Sequence, residues 1–290
     1  MTASMAAFTV NDTFMKALSD ELPLFPALAL RGTGATLLLV LIALILRIDA
    51  FTVRVKDRWK MVIRSLAEAG GAFGFLGAVF NMDLANASAI GQVAPLVVAV
   101  AAAIWLGERL NALRIGSVIV GFLGVILMLQ PGPEGFNWWS LSVIFSVLMV
   151  TLRDIITRQM SHDIPAFTIV LYGAVAVAVV AGIGTVLRGE LQPISTTVAA
   201  QMTGSVLFLI VGYFTAILTM RVGEVSFVAP FRYTSMLFSF LLGWLMFSEM
   251  PNALTLIGVT IVIAAGLISL TMEVRAQRKG PPDGSPDIPI

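Results

Sequence analysis

The stretch VNDTFMKALSDELP, residues 10–23, has a similar counterpart much later in the chain, LRDIITRQMSHDIP, residues 152–165. Four matched positions share an offset of 142 (154−12, 158−16, 161−19, 165−23): Asp12 with Asp154, Lys16 with Arg158, Ser19 with Ser161, and Pro23 with Pro165. The far ends of the two copies match at offsets of 141 or 142 (249−108, 252−111, 258−116, 266−124): Glu108 with Glu249, Asn111 with Asn252, Gly116 with Gly258, and Gly124 with Gly266. Two copies that each cross a membrane an odd number of times have opposite orientations, as in many secondary transporters. The repeat therefore predicts a functional site between the copies.

The composition predicts a membrane protein, because 58% of the 290 residues are hydrophobic and only 12% are charged. A soluble domain of this size does not reach such values. A membrane-spanning helix needs about 20 apolar residues, and the chain contains ten such runs: 1–17, 24–46, 61–80, 88–106, 112–129, 138–157, 166–187, 200–220, 226–247 and 253–272. The predicted fold is all-α and polytopic, with ten transmembrane helices in two inverted five-helix repeats.

The basic residues predict the orientation. Twelve of them fall at one side of the predicted bundle: Arg47, Arg54, Lys56, Arg58, Lys60, Arg109, Arg114, Arg158, Arg221, Arg275, Arg278 and Lys279. The other side has only Arg188. Under the positive-inside rule both termini are then cytoplasmic, and we expect a multi-pass protein of the bacterial inner membrane.

The repeat also predicts domain boundaries. We expect a first copy at residues 1–130, a second copy at 138–273, and a disordered cytoplasmic tail at 274–290, where the segment GPPDGSPDIPI lacks apolar periodicity. Met1 begins inside the first apolar run without a basic segment before it, so a cleaved signal peptide is not expected. The first helix is then short, or the natural start lies upstream.

Several classes of function are disfavoured by residue content. The chain has no cysteine and only one histidine, His162, which removes disulfides, thiol nucleophiles and multi-histidine metal sites. We expect no metal and no cofactor, and an intramembrane enzyme is disfavoured because it would need such groups. The net charge of +1 points to no nucleic-acid partner.

Six charged residues fall inside predicted spans: Asp12, Arg31, Glu68, Arg153, Asp154 and Arg232. Facing lipid would cost about 2.5 to 3.5 kcal/mol for each of them, so we expect all six to face the interior of the bundle. Together with neighbouring polar groups they form a predicted substrate-binding set: Asn11, Asp12, Arg31, Glu68, Gln92, Arg153, Asp154, Arg232 and Tyr233.

Structural roles compete with binding roles at several of these positions. Asp12 with Lys16, and Asp154 with Arg158, are neighbours four residues apart and would form ion pairs on one helix face. Arg31 has no such neighbour and is expected to reach Asp12 or Glu68 across helices. Glu68 is followed by small residues in the sequence EAGGAFG, which let another helix or a substrate approach closely.

The ninth span contains the sequence VAPFRYTS. Pro230 removes a backbone hydrogen bond and is expected to kink this helix; Arg232 is suited to an anionic group and Tyr233 to stacking or hydrogen bonding. Gln92 lies in the corresponding part of the fourth span. Glu108 and Glu249, which follow the fourth and ninth spans, are expected to cap the next helix. The glycines of the fifth and tenth spans predict helix packing or a homodimer surface.

The chain resembles EamA-type permeases of the drug/metabolite transporter superfamily over nearly all of residues 1–275. The resemblance rests on VNDTFMK with the following Arg31, ANASAIGQVAPL, the GE of WLGERLN, VGFLGVILMLQP, and APFRY. It implies ten helices, cytoplasmic termini, alternating access, and a central cavity built mainly by helices 1, 3, 4, 6, 8 and 9. The ND and APxRY motifs are similar to uptake proteins for S-adenosylmethionine or riboflavin. The first helix is shorter than in the family, and the proline-to-glutamate spacing differs between the copies (108−95 and 249−230).

The leading functional hypothesis is a secondary transporter of a small polar or aromatic metabolite, with export of amino acids or related metabolites as the alternative. A channel or membrane scaffold is a further class, and mixed-sign interior charges favour a zwitterionic or dipolar ligand over a channel. No nucleotide-binding loop is present, so an ion gradient or the gradient of the substrate must drive transport. Proton coupling through Glu68 or Asp154 and exchange without a proton both stay open.

Overall fold

A computed structural model of the chain describes residues 1–107, 112–129, 137–161, 163–222 and 229–278. These residues form eleven α-helices and two short 3-10 helices, at Val55–Asp57 and Ala229–Tyr233. The α-helices in chain order are α1 (Thr2–Ala17), α2 (Leu24–Leu46), α3 (Arg58–Val79), α4 (Leu84–Gly91), α5 (Ala94–Leu106), α6 (Ala112–Leu129), α7 (Trp139–Arg158), α8 (Ala166–Arg188), α9 (Thr196–Val222), α10 (Thr234–Phe247) and α11 (Ala253–Arg278). No strand occurs in these described ranges. The predicted all-α fold is confirmed.

The helices lie where the apolar runs predicted them, and α4 with α5 together form the fourth span. Six segments of the described residues are long and apolar enough to cross a membrane: Leu24–Leu46, Val55–Val79, Leu84–Trp105, Trp139–Arg158, Ala166–Arg188 and Thr196–Ala216. The last helix, α11, extends to Arg278, beyond the end of the tenth predicted span.

The fourth span is interrupted, and the described part of the ninth span begins with a 3-10 turn at the equivalent position. Gln92 lies in the break between α4 and α5, and Tyr233 ends the 3-10 turn before α10. The two residues are 141 apart (233−92), the same separation as the left-handed caps Gly107 and Ser248 that end α5 and α10. Pro95 and Pro230 are not equivalent, because their separation (230−95) differs from the repeat offset. Pro95 lies in the first turn of α5, where a missing N–H is tolerated. The turn before α5 and the 3-10 turn before α10 therefore lie at equivalent positions of the repeat, even though the prolines do not.

Helix packing also follows the repeat. Exchanging the two copies relates α1 to α7, α3 to α9, and the α4–α5 span to α10. The α1–α9 contact then corresponds to the α7–α3 contact, and the α1–α10 contact corresponds to the contacts of α7 with α4 and α5. The α2–α8 and α6–α11 contacts each join a helix to its own counterpart in the other copy. The inverted arrangement of the two copies is thus present in the packing.

Individual hydrogen bonds repeat with it. The Ser4 hydroxyl donates to the carbonyl of Gly212, and the Ser146 hydroxyl donates to that of Gly71, both at 2.7 Å. The serines are 142 apart (146−4) and the glycines 141 apart (212−71). These bonds join α1 to α9 and α7 to α3, which places all four helices side by side around the centre.

The distribution of side chains is that of a protein surrounded by lipid. On α2, Leu37 and Leu44 are 65% and 67% exposed, whereas Arg31 on the same helix is 8% exposed. On the far side of the bundle, α6 and α11 meet through Gly124 and Gly258, where an added Cβ would lie 2.8 Å or less from the opposing carbonyl oxygen. Charged groups inside and leucines outside leave the interior as the place for polar chemistry.

Candidate substrate-binding cleft

A cleft opens among α2, α3, α8 and α9, near the middle of the bundle. Its volume is about 380 Å³ when the part open to the surroundings is included. The lining residues are Arg31, Gly32, Ala35, Leu39, Glu68, Ala72, Val170, Gly173, Ala174, Val177, Leu209 and Tyr213. This set of helices differs from the expected set, because the second and seventh spans form walls and the first, fourth, sixth and ninth do not. The close α2–α8 packing brings these two helices to the centre.

The cleft lies on the axis that relates the two copies. Ten of its lining residues form equivalent pairs at the offsets found above, 142 for α2 with α8 and 141 for α3 with α9: Arg31 with Gly173, Gly32 with Ala174, Ala35 with Val177, Glu68 with Leu209, and Ala72 with Tyr213. In three pairs one member is polar and the other is apolar or glycine. The cleft therefore has symmetric walls and asymmetric chemistry.

Glu68 of α3 is the centre of an ion cluster. Its carboxylate accepts from Arg64 Nη2 at 2.8 Å, from Arg153 Nη1 at 3.4 Å, and from the Tyr213 hydroxyl at 3.3 Å. Arg64 also donates through Nη1 to the carbonyl of Ile169 on α8, at 2.9 Å. We call Arg64, Glu68, Arg153 and Tyr213 the central ion cluster. It ties α3, α7, α8 and α9 together.

Gly173 makes room for this cluster. A Cβ at this position would lie 2.7 Å from Arg64 Nη1 and 3.2 Å from Glu68 Cγ. The small residues after Glu68 have the predicted packing role, since Gly71 and Gly74 receive hydrogen bonds from serines of α7 on their carbonyl oxygens. Helix α7 therefore lies close enough for Arg153 to reach Glu68.

Arg31 of α2 lines the same cleft without a partner. Among the described residues its guanidinium forms no hydrogen bond and no ion pair, and its buried Nε has no acceptor. Asp12 and Glu68 are near enough to interact with it electrostatically, but the expected contact with either carboxylate is not formed. Arg31 is thus a buried cation without a hydrogen-bonded partner, which is unusual because burying an unpaired charge is costly.

Four more residues of the predicted set extend the polar region. On α1, Asn11 Nδ2 donates to Asp12 at 2.9 Å, and Asn11 Oδ1 accepts from the Ser205 hydroxyl of α9 at 2.8 Å. On α7, Arg153 Nε donates to Asp154 at 2.9 Å. The positions are equivalent (153−11 and 154−12), so each copy has a side-chain contact between the same neighbours. None of these four lines the cleft itself.

The residues predicted from the helix breaks lie outside the cleft. Gln92 Nε2 donates to the Ser235 hydroxyl at 2.6 Å, which joins the two interrupted spans. Tyr233 is 5% exposed, its hydroxyl has no partner, and its ring lies against Gly266 of α11. Arg232 is exposed and interacts electrostatically with Asp154. These three residues do not adjoin Arg31 and Glu68 in the cleft wall.

At one end of the bundle, two expectations for Lys16 and Glu249 are wrong. Lys16 does not pair with Asp12 on its own helix; it forms an ion pair with Glu249 and donates to the carbonyl of Met82 at 2.7 Å. Glu249 does cap a helix, but it accepts from the backbone N–H of Leu84, at the start of α4, at 2.9 Å. The reason is geometric, because the turn after α10 lies over the end of α1 and the start of α4. The two copies are thus joined at this end.

The opposite end has its own link between the copies. The Ser161 hydroxyl donates to Asp57 Oδ2 at 2.6 Å, and Lys60 Nζ donates to the carbonyl of Gln159 at 2.5 Å. Lys60 Nζ also lies 3.8 Å from Asp57 Oδ1. The contact between Ser161 and Asp57 keeps the α2–α3 turn against the α7–α8 turn.

The sequence analysis did not identify Tyr213 or Gly173 as functional residues, and it did not predict the contact between Asp57 and Ser161. Tyr213 could have been found, because it is a hydroxyl-bearing residue in the middle of an apolar span. Glu108 and His162, by contrast, lie outside the described residues, as does the chain after Arg278. Among the described residues no group of three His, Cys, Asp or Glu side chains could hold a metal ion.

Ten spans in two inverted copies around a buried charged cleft define a multi-pass membrane transporter. Residues 1–130 and 137–271 both match the EamA-like transporter family, and the chain belongs to this family. It is a permease for a small metabolite.

The chain is similar to three kinds of named relatives. It is 24% identical to a riboflavin transporter of Rhizobium johnstonii, over 80% of this chain and 77% of that protein. It is 24% identical to an S-adenosylmethionine uptake transporter of Rickettsia bellii, over 95% and 94%, and 26% identical to a pseudopaline exporter of Pseudomonas aeruginosa, over 93% and 95%. A solved crystal structure shares the fold, with a TM-score of 0.64 and 16% identity over 95% of this chain and 98% of that one.

Proposed function

We propose that this permease moves a small polar or aromatic metabolite by alternating access, with the substrate bound in the cleft among α2, α3, α8 and α9. The observation that carries the proposal is the position of the cleft on the axis between the copies. A site on this axis is exposed to either side when one copy rocks against the other. The links at the two ends, Lys16 with Glu249 and Asp57 with Ser161, lie where such a motion would break contacts.

We further propose uptake of a vitamin or nucleoside-type compound, such as riboflavin or S-adenosylmethionine. Relatives named for these two compounds support this choice. Export is the alternative, because a relative of similar identity is named as an exporter. The cytoplasmic placement of both termini in a bacterial inner membrane is part of the same proposal and is supported by the basic residues of the loops.

Within the predicted binding set, the cleft supports Arg31 and Glu68 as its direct walls. We propose that Asn11, Asp12, Arg153 and Asp154 contribute through the polar region next to it, and that Gln92, Arg232 and Tyr233 act at the helix breaks. Proton coupling through Glu68 or Asp154 and exchange without a proton are the two driving schemes. A homodimer would have to use lipid-facing surfaces other than Gly124 and Gly258, because those glycines pack within the chain.

The test is counterflow in proteoliposomes loaded with unlabelled riboflavin or S-adenosylmethionine. We expect labelled compound to accumulate transiently inside, since only a carrier exchanges its substrate in this way. An imposed pH gradient that changes the initial rate would indicate proton coupling. Absence of exchange for both compounds, and for amino acids tested in parallel, would contradict the proposal, whereas exchange of amino acids alone would favour the exporter alternative.

A further inference from the structure

Glu68 is already engaged within the central ion cluster. Two guanidinium groups and the Tyr213 hydroxyl already donate to its carboxylate. A substrate cation would have to displace Arg64 or Arg153 to reach it. Glu68 is therefore placed to hold arginines in position and not to bind the substrate itself.

Arg31 is in the opposite state. It is 8% exposed, lines the cleft, and makes no hydrogen bond or ion pair with any described residue. Asp12 and Glu68 interact with it through their charge but hold other donors: Asp12 accepts from Asn11, and Glu68 belongs to the cluster. A guanidinium has five N–H donors and cannot become neutral in a protein, so a buried, unpaired one calls for an acceptor from outside the chain.

Nine of the twelve residues that line the cleft are apolar or glycine. Val177 and Leu209 lie on α8 and α9, and Leu39 lies further along α2. These side chains offer apolar contacts to a ligand whose polar group meets Arg31. A mostly apolar pocket with a few convergent polar groups is the usual form of a small-molecule site.

We propose that Arg31 binds an oxyanion, a carboxylate or a phosphate, of an amphipathic substrate whose apolar part packs against Val177 and Leu209. The proposal rests on the transport function above and names the substrate class for the same cleft. The planar guanidinium fork matches a carboxylate or phosphate with two parallel hydrogen bonds. Glu68 contributes indirectly, because its negative charge pairs with Arg64 and Arg153 and leaves Arg31 as the cation that can bind the oxyanion.

The test compares pairs of compounds that differ by one anionic group. The pairs are S-adenosylmethionine with its decarboxylated form and riboflavin 5′-phosphate with riboflavin, each measured by calorimetry on the purified protein in detergent. In each pair only the first compound has the oxyanion, and for this group alone we call it the anionic member and the second the neutral member. We expect the anionic member of a pair to bind more tightly. Arg31→Gln should weaken that member by on the order of tenfold to a hundredfold, as for loss of a charged hydrogen bond, and leave the neutral member nearly unchanged.

Two further variants sharpen the result. Arg31→Lys keeps the charge without the fork and should fall between the wild type and Arg31→Gln. Arg54→Gln, at an exposed loop arginine, is the matched control and should retain the full preference. If Arg31→Gln does not fold, phenylglyoxal modification of Arg31 in the wild type, followed by mass spectrometry, replaces it: the anionic member should protect this residue and the neutral member should not.

The outcomes separate this inference from the proposed function. Equal binding of both members of each pair, or an unchanged anion preference in Arg31→Gln, would overturn the role of Arg31 while counterflow still supports a permease. A preference only for phosphate or only for carboxylate would support the inference and identify the oxyanion. Failure of every compound to bind and to exchange would overturn both.

Discussion

Replacing Glu68 by glutamine should destabilise the protein strongly, because it removes the carboxylate that Arg64 and Arg153 share. Arg64 and Arg153 lie 2.8 and 3.4 Å from Glu68, and these side chains are only 7% and 20% exposed. Breaking a buried pair by removing one partner costs about 3 to 5 kcal/mol, since the remaining charge is left uncompensated. Arg153 retains Asp154 at 2.9 Å, whereas Arg64 retains only a neutral carbonyl. We therefore expect a loss of about 3 kcal/mol, at the lower end of that range.

The assay is equilibrium unfolding in mixed micelles, followed by fluorescence. The double variant Glu68→Gln/Arg64→Leu should recover much of the loss, because it removes the unpaired cation as well. Glu21→Gln is the control, an exposed glutamate whose replacement should change stability by no more than about 0.5 kcal/mol. A loss below about 1 kcal/mol in Glu68→Gln, or no recovery in the double variant, would refute the argument that the cluster is held together by charge.

Three other predictions follow from single contacts. Gly173→Ala should lower unfolding stability and substrate affinity, because its methyl group would displace the Arg64 guanidinium. Gly182→Ala on the same helix is the control and should be neutral or stabilising, since nothing lies within 4 Å of its added Cβ. Equal melting temperatures of the two variants would contradict this prediction. Ser161→Ala removes the hydrogen bond from Ser161 to Asp57, which joins the two copies at one end of the bundle, and should lower the melting temperature; an unchanged melting temperature would count against the contact. Cysteine placed at Val55, which is 75% exposed, should resist a membrane-impermeant thiol reagent applied to intact cells and react after lysis, and labelling before lysis would reverse the proposed orientation.

Helix positions and the two-copy arrangement could be predicted because both are encoded along the chain. The prediction of 24–46 for the second span coincides with α2, and that of 112–129 coincides with α6. The length of an apolar run gives the length of the helix directly, and the offset between matched residues gives the positions of the two copies. An interior position could also be inferred for five of the six charged residues, because lipid would penalise each of them. For Arg232 the inference is wrong, because this residue is exposed.

The partners of the charged residues could not be predicted. Arg31 was expected to contact Asp12 or Glu68, but Glu68 is taken by Arg64 and Arg153. Long arginine side chains reach across helices, so the lateral packing and not the sequence spacing decides which of several cations meets one carboxylate. Lys16 shows the same effect, since a neighbour four residues away on its helix was less accessible to it than Glu249 of the other copy.

The site combines an inherited symmetry with a few substitutions that break it. Arg31 and Gly173 occupy equivalent positions on α2 and α8, yet the first contributes a charge and the second contributes only space, into which Arg64 fits. Glu68 and Leu209 differ in the same way on α3 and α9. A symmetric pair of charges on the axis would bring like charges together, whereas one charge opposite one small or apolar residue gives a cleft with a polar side and an apolar side. An amphipathic substrate would then bind in one orientation, and the symmetric scaffold could still expose it to either face of the membrane.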